Sequence, residues 1–388
     1  MAYNKEKVLK ENIAAIKTAL SDTPLSPEDI ETLRAYKGFG GIKCILFGDG
    51  TYQSWIDQGA SDNDLKLHAP IQELFNLLIE HFGEKEYKSI VNSLKNSVLT
   101  AYYTPNVLPQ TFYEVLKDYV QVRTIYEPSA GSGVFLQEAF NIFPEIEQVC
   151  AYEKDLLTAI VLERITESEY GHTIYNKPFE ESSDKENGKY DLITSNIPFG
   201  EMKIYDPHFK DNNLTGKIHN YFFAKGIEKI REGGILAFLV SDAFLNTVSN
   251  HTIRKYLFDR SDFISLTVMP DNLMQDTGGT MAPSHFLVVQ KNTAKSCLSP
   301  EEELLVESSF IDTSVGKIAI NHYLQHSQDC IIATGTSWGK NQYGKPGVEH
   351  HWSATIEEIA TPFSEILRKD FKQRFNHSWE QARIQEEE

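Results

Sequence analysis

Cysteine is scarce in this chain. Its four residues among 388, Cys44, Cys150, Cys297 and Cys330, form no CxxC pair and no Cys/His cluster at zinc-finger spacing. A disulfide scaffold is thereby excluded, and the thiols read as reduced, in a cytoplasmic protein with no metal. His350-His351 has no further ligand at metal spacing and reads as a surface pair. No apolar run approaches the roughly 20 residues needed to span a bilayer, and Met1 to Lys7 lack the apolar stretch of a secretory signal, so no membrane partner is expected. Basic charge is also short: 37 Lys+Arg against 55 Asp+Glu leave a net charge of -18. That balance is a poor global field for approaching a polyanion. No Gly-Lys-Ser/Thr follows Gly38-Phe39-Gly40-Gly41, which therefore reads as a tight turn and not a phosphate loop. Ser241-Asp242 has no histidine placed to complete a nucleophilic triad.

What is present is ample apolar material, 41% of the chain with 22 Phe, enough for a sizeable core. Residues 1–98 read as mainly helical. Ser26-Pro27-Glu28-Asp29 is a helix start, with a capping serine, proline in the first turn and an acid behind it. Ile71, Leu74, Phe75, Leu78 and Ile79 mark a second apolar helical face. Residues 99–295 alternate strand, turn and helix, with strands expected at 123–127, 148–153, 172–176, 190–195, 234–240, 263–268 and 285–291. Crossover helices are expected at 133–142, 156–168 and 219–231. This pattern predicts an α/β fold with a parallel sheet and helices on both faces. The last two strands are joined through Pro270 to Pro283 without a helical pattern, which predicts an antiparallel edge. Residues 296–388 read as an appended module that packs on the sheet and ends in an acidic tail.

Two motifs fall where ligands bind open α/β sheets, beyond the carboxyl ends of the strands. The first is Glu127-Pro128-Ser129-Ala130-Gly131-Ser132-Gly133, a glycine turn after the first strand, followed by Glu153 at the end of the second. The third glycine of a dinucleotide site is missing, and Glu153 is placed to accept both hydroxyls of a ribose. The pair suits a nucleoside-bearing cofactor without a pyrophosphate. The second is Asn196-Ile197-Pro198-Phe199 at the end of the fourth strand. Pro198 keeps Ile197 out of the helical region and so fixes its carbonyl. The Asn196 amide and that carbonyl can accept the two hydrogens of an exocyclic amine, while Phe199 stacks on its ring.

On these motifs the chain resembles S-adenosylmethionine-dependent adenine-N6 DNA methyltransferases, above all the large methylases of phages, plasmids and integrative elements. The resemblance is carried also by Ala101-Tyr102-Tyr103-Thr104-Pro105 and by His219-Asn220-Tyr221-Phe222-Phe223 leading to Gly233-Gly234, and it covers roughly residues 100–292. It implies a Rossmann-like seven-stranded sheet with an N-terminal helical region and a C-terminal extension, and direct methyl transfer to a base flipped from the duplex. By position, Tyr103, Thr104 and Pro105 would line the methionine end of S-adenosylmethionine. Glu127, Pro128, Ala130, Gly131 and Gly133 would wrap its backbone, Glu153 its ribose, and Phe179 its adenine. Asn196, Ile197, Pro198 and Phe199 would hold the target base. Two departures stand out: Ile197 occupies a position where the family commonly has proline, and no Asp stands beside Phe179.

Lys203, Lys210 and Lys217, in the long loop after Gly200, form the best local basic surface, and His219 lies at its end. These four are the candidate DNA-binding residues. The charge of -18 implies that DNA binding is weak or assisted, with a helicase or specificity subunit as the expected partner. Two other readings are compatible with the motifs. The same tetrapeptide can hold the planar amide of a glutamine, as in glutamine-N5 protein methyltransferases. An acidic chain of this fold could also be a noncatalytic binding subunit or decoy.

Overall fold

The computed structural model describes residues 4–100, 104–169, 173–340 and 346–387. At its centre is a seven-stranded sheet: β1 (Thr124–Glu127), β2 (Gln148–Tyr152), β3 (Thr173–Tyr175), β4 (Tyr190–Asn196), β5 (Ile230–Ser241), β6 (Ser261–Met269) and β7 (Ser284–Lys291), in the order β3-β2-β1-β4-β5-β7-β6. All the expected strands are present. Six run parallel, and β7 pairs antiparallel with both neighbours. The expected antiparallel edge needs correction: β7 lies one place inside the sheet, and β6 forms the edge.

Alternation of side chains along the strands builds two cores. Ile125, Leu192, Ile235, Ala237 and Leu239 face one side, under helices Val107–Leu116, Val134–Ile142 and Ala360–Arg374. Tyr126, Ile193, Leu236, Phe238 and Val240 face the other, under helices Ile218–Lys229 and His251–Phe258. The late helix Ala360–Arg374 contributes Phe363, Leu367 and Phe371 to the first core at intervals of four. Each fully buried side chain of this kind contributes roughly 1.5–3 kcal/mol, so this part of the C-terminal stretch is integral to one face of the sheet. Arg374 fixes it further through a fork onto Glu301 (2.7 and 2.8 Å).

The N-terminal helices form a third core. Ser26 and Asp29 make the expected capping box on helix Pro27–Arg34. Ile71, Leu74, Phe75 and Leu78 are buried on helix His68–Thr100, which kinks at Gly83. Leu157, Val161 and Ile165 of helix Leu156–Glu169 complete this core, so the N-terminal region packs on the helix that follows β2. Two antiparallel ribbons lie apart from the main sheet: β8 (Ser308–Thr313) with β9 (Gly316–Asn321), and β10 (Gly335–Lys340) with β11 (Pro346–His351). No helix among the described residues is long and apolar enough to cross a membrane.

Candidate active site at the carboxyl ends of β1, β2 and β4

The chain builds β1, β2 and β3 outward in one direction and then returns to place β4 on the other side of β1. Strand order therefore reverses between β1 and β4, where open α/β sheets leave a crevice. The glycine turn leaves β1 on one side of this point, and Asn196 ends β4 on the other. Ser195 ties them together, its hydroxyl donating to the Ser129 carbonyl at 3.0 Å.

The turn is shaped by two left-handed glycines, Gly131 (φ 53°) and Gly133 (φ 80°). A Cβ on Gly133 would stand 2.4 Å from Leu162 Cδ1, so this glycine lets the turn approach helix Leu156–Glu169. A Cβ on Gly131 would meet nothing within 4 Å, so the backbone there faces open space. The Ala130 N–H donates to the Tyr152 carbonyl (2.9 Å), which holds the turn against β2. Pro128 and Ala130 are buried.

Glu153 is the second brace. Its Oε2 accepts the Gly131 N–H and its Oε1 the Asp155 N–H, each at 2.7 Å. Burial pushes its carboxyl up to about 7, with the charge of Asp155 adding to the effect. Glu127, 1% exposed, is pushed well above the usual carboxylate range by burial and by nearby Glu153. Its Oε2 has no hydrogen-bond partner among the described residues. Two buried acids side by side leave an electrostatic deficit that a cationic ligand can relieve.

Asp155 and Ser93, which the sequence reading did not single out, complete this corner. Asp155 Oδ1 caps helix Leu156–Glu169 by accepting the Thr158 N–H (2.9 Å) and hydroxyl (2.7 Å). Its Oδ2 accepts the Ser93 hydroxyl at 3.0 Å, from the long N-terminal helix. The cap itself was legible, as an Asp three residues before Thr158 ahead of an apolar run. Its bond to Ser93 crosses 62 residues and has no local signature.

Asn196 lies across the crevice. Its Nδ2 donates to Thr104 Oγ1 at 3.0 Å and contacts Met274 Sδ at 3.7 Å. The residue just ahead of helix Val107–Leu116 and the loop between β6 and β7 thus converge on the tip of β4. Thr104 and Pro105 are buried, and Tyr103 lies outside the described residues. The Ile197 N–H donates to the Leu239 carbonyl (3.1 Å), extending the β4–β5 ladder by one bond. Ile197 then turns its side chain into the second core, while Phe199, half-buried, packs against the first. Pro198 lies between them, half-buried.

Two expected residues do not join this group. Phe179 is 2% exposed and packs among Tyr126, Tyr221 and Phe222, with Lys225 Nζ 5.6 Å from its ring centre. Its ring is spent on the core, which corrects the expectation that it flanks an adenine. His219, also 2% exposed, packs edge-on against Phe244, and burial lowers its imidazole to about 4. It is therefore neutral and interior, a correction to its expected place on the DNA-binding loop. Lys203 and Lys210 are exposed on that loop, while Lys217 pairs with Glu201 at 3.7 Å.

A family model described as N-6 DNA Methylase matches residues 80–362. Among similar curated proteins, Defense against restriction protein B of Escherichia phage P1 is 22% identical over 222 residues, covering 56% of this chain and 9% of that protein. The type II methyltransferase M.VspI of Vibrio sp. (strain 343) is 25% identical over 203 residues, covering 48% of this chain and 50% of its own. The chain thus spans at most half the length of these relatives. Among solved structures, the methyltransferase subunit of a type I restriction-modification system from Streptococcus thermophilus aligns over 75% of this chain and 86% of its own, at 13% identity and a TM-score of 0.43. With the family model matching well over half of its residues, the chain belongs to the N-6 DNA methylase family.

Proposed function

We propose that this chain transfers a methyl group from S-adenosylmethionine to the N6 amine of adenine in DNA, with the target base flipped out of the duplex. One observation carries the reading. A glycine turn and an Asn-x-Pro-Phe tip stand on the adjacent strands β1 and β4 at the switch point, joined through Ser195 and Ser129. Membership of the N-6 DNA methylase family supports the same reaction.

The cofactor corner suits the donor in two ways. Gly131 leaves the backbone open to close approach, and the unpartnered buried carboxylate oxygen of Glu127 suits the donor's ammonium. S-adenosylmethionine, when bound, supplies an electrophilic methyl group on a sulfonium. Glu127, Pro128, Ala130, Gly131 and Gly133 form the wall along its methionine end, with Thr104 and Pro105 opposite. Glu153 takes the ribose hydroxyls. A carboxylate has about four acceptor sites, so these bonds add to the two that Glu153 already makes with backbone.

The base corner belongs to Asn196, Ile197, Pro198 and Phe199. Thr104 takes the amide NH2 of Asn196, so the acceptor Oδ1 is the atom assigned to the base amine. The Ile197 carbonyl accepts the amine's second hydrogen, in the direction set by Pro198. Two acceptors draw the nitrogen lone pair out of the ring, where it becomes nucleophilic. Phe199 holds the base by stacking, worth about 1–3 kcal/mol. In this reading residues 99–295 are the catalytic unit, 1–98 brace its cofactor side, and 296–388 close its far side. The net charge of -18 assigns much of the grip on DNA to a partner, a specificity or helicase subunit, and to the local surface of Lys203, Lys210 and Lys217.

The test is incubation of the chain with DNA and tritiated S-adenosylmethionine, then digestion of the product to nucleosides. Label in N6-methyl-2′-deoxyadenosine is the expected result. Label confined to protein, or to another base, rejects the assignment.

A further inference from the structure

Eleven large hydrophobic side chains are exposed among the described residues, and six of them lie on loops that follow β4, β5 and β6 or on the two ribbons. Met202 and Tyr205 lie on the loop that leaves β4, and Val248 follows β5. Met281 lies between β6 and β7, and Phe310 and Trp338 are on the two ribbons. Both ribbons are tied to these loops. β9 is held through Asn321, whose N–H donates to Asn246 Oδ1 (3.0 Å) and whose Nδ2 donates to the Leu305 carbonyl (2.8 Å). β11 is held through the Asp271 N–H, which donates to the His350 carbonyl (2.7 Å), and by a reciprocal pair between Asn272 and the Trp352 backbone (2.8 and 3.0 Å).

The exposure is built in, and it does not come from poor packing. Tyr205 is 85% exposed, yet both its neighbours are buried. Ile204 packs in the second core, and Asp206 makes a buried ion pair with Lys225 (2.9 Å) and accepts the Tyr221 hydroxyl (2.6 Å). The loop is thus anchored on either side of a side chain held out in water. Trp338, 48% exposed, sits in the middle of a regular ribbon opposite Val348.

We propose that this rim is the surface on which the DNA lies, with Tyr205 and Trp338 as its stacking or wedging groups. The inference rests on the methyltransferase reading and deepens it by naming where the nucleic acid is held. Three features favour DNA as the occupant. The loop that carries Met202 and Tyr205 leaves β4 directly after the Asn196 tip, to which a base must be delivered. In a chain of charge -18 it carries Lys203 and Lys210, exposed and without an ion pair among the described residues. A two-stranded ribbon also has the dimensions that a duplex major groove admits.

The test compares Tyr205→Ala, Trp338→Ala and the double variant with Tyr52→Ala, a control at an exposed tyrosine on the N-terminal region. Methyl transfer to duplex DNA, S-adenosylmethionine affinity and melting temperature are measured on the full chain. Each rim variant is expected to raise KM for DNA by about fivefold or more, as loss of a stacked base worth about 1–3 kcal/mol implies. Cofactor affinity and melting temperature should stay at wild-type values, and Tyr52→Ala should change nothing. An active wild type with unchanged KM in both rim variants overturns this inference alone. A wild type that methylates no DNA overturns it together with the proposed function. Loss of self-association in the variants at unchanged KM assigns the rim to a protein contact and also overturns it.

Discussion

The two sides of the crevice are built differently. The corner beyond β1 and β2 is dense with internal bonds: Glu153 is held by two backbone N–H groups, Asp155 by Thr158 and Ser93, and the glycine turn by Tyr152. The corner beyond β4 holds Asn196 through Thr104 and Met274 and runs on into a loop with exposed Met202 and Tyr205 side chains. A small cofactor of fixed shape suits the first construction, since preorganised dipoles need not reorganise when it binds. A flipped base on a long polymer suits the second, which must admit and release a bulky strand. The division of labour predicts that substitutions on one side alter cofactor affinity and those on the other alter transfer.

The largest effect is expected at the base corner. Asn196→Ala should lower the single-turnover rate by about 10²–10³-fold, the usual cost of one preorganised polar group. Thr104→Val leaves the acceptor in place but frees the amide to rotate, so its loss of rate should be smaller, about tenfold, the equivalent of one net hydrogen bond. Both are read by rapid quench with labelled donor.

At the cofactor corner the predictions concern affinity. Glu153 titrates near 7 because burial disfavours its charge, and the charged form is the better acceptor for ribose hydroxyls. S-adenosylmethionine affinity should therefore rise as pH increases through about 7 and fall below it. The stability of the free protein runs the other way. A carboxyl whose folded pKa lies above its unfolded value holds its proton more tightly when folded, so stability declines as pH rises from about 4.5 towards 7. Calorimetry across this range checks both signs, and Glu153→Gln should remove the share of each trend that this carboxyl contributes.

Gly133→Ala would force a side chain into the left-handed region, at about 1–2 kcal/mol, and against Leu162. A lower melting temperature and weaker cofactor binding should appear together. The smallest effect belongs to Ser93→Ala, which removes one bond to Asp155 from 62 residues away in the chain. About 1 kcal/mol, or fivefold in cofactor affinity, is expected, with kcat unchanged. An equal loss of kcat would mean that the N-terminal region reaches the base corner too.

Much of this architecture was legible in the chain. Strands β5 and β7 carry the near-continuous apolar runs 235–240 and 286–289, as strands buried on both faces do, and turn chemistry put the two motifs at the carboxyl ends of β1 and β4. Long-range packing was less visible. Phe363, Leu367 and Phe371 announce an amphipathic helix, but nothing local says that it covers the same face as helix Val107–Leu116. Phe179 illustrates the same limit: an aromatic just past a strand can face a ligand or the core, and the short 3-10 turn Phe179–Glu181 directs it inward. The residues around Tyr205 read as a solvated basic loop. Its anchor is the ion pair of Asp206 with Lys225, on the helix that follows the loop, a contact with no local signature.

The division between the corners is tested most directly by measuring cofactor affinity and single-turnover methyl transfer side by side in Asn196→Ala and Glu153→Gln. Asn196→Ala is expected to bind S-adenosylmethionine like the wild type but fail to transfer, while Glu153→Gln binds weakly and recovers transfer at saturating cofactor. An Asn196→Ala protein that transfers at the wild-type rate, or that loses cofactor binding in step with its rate, would contradict that division.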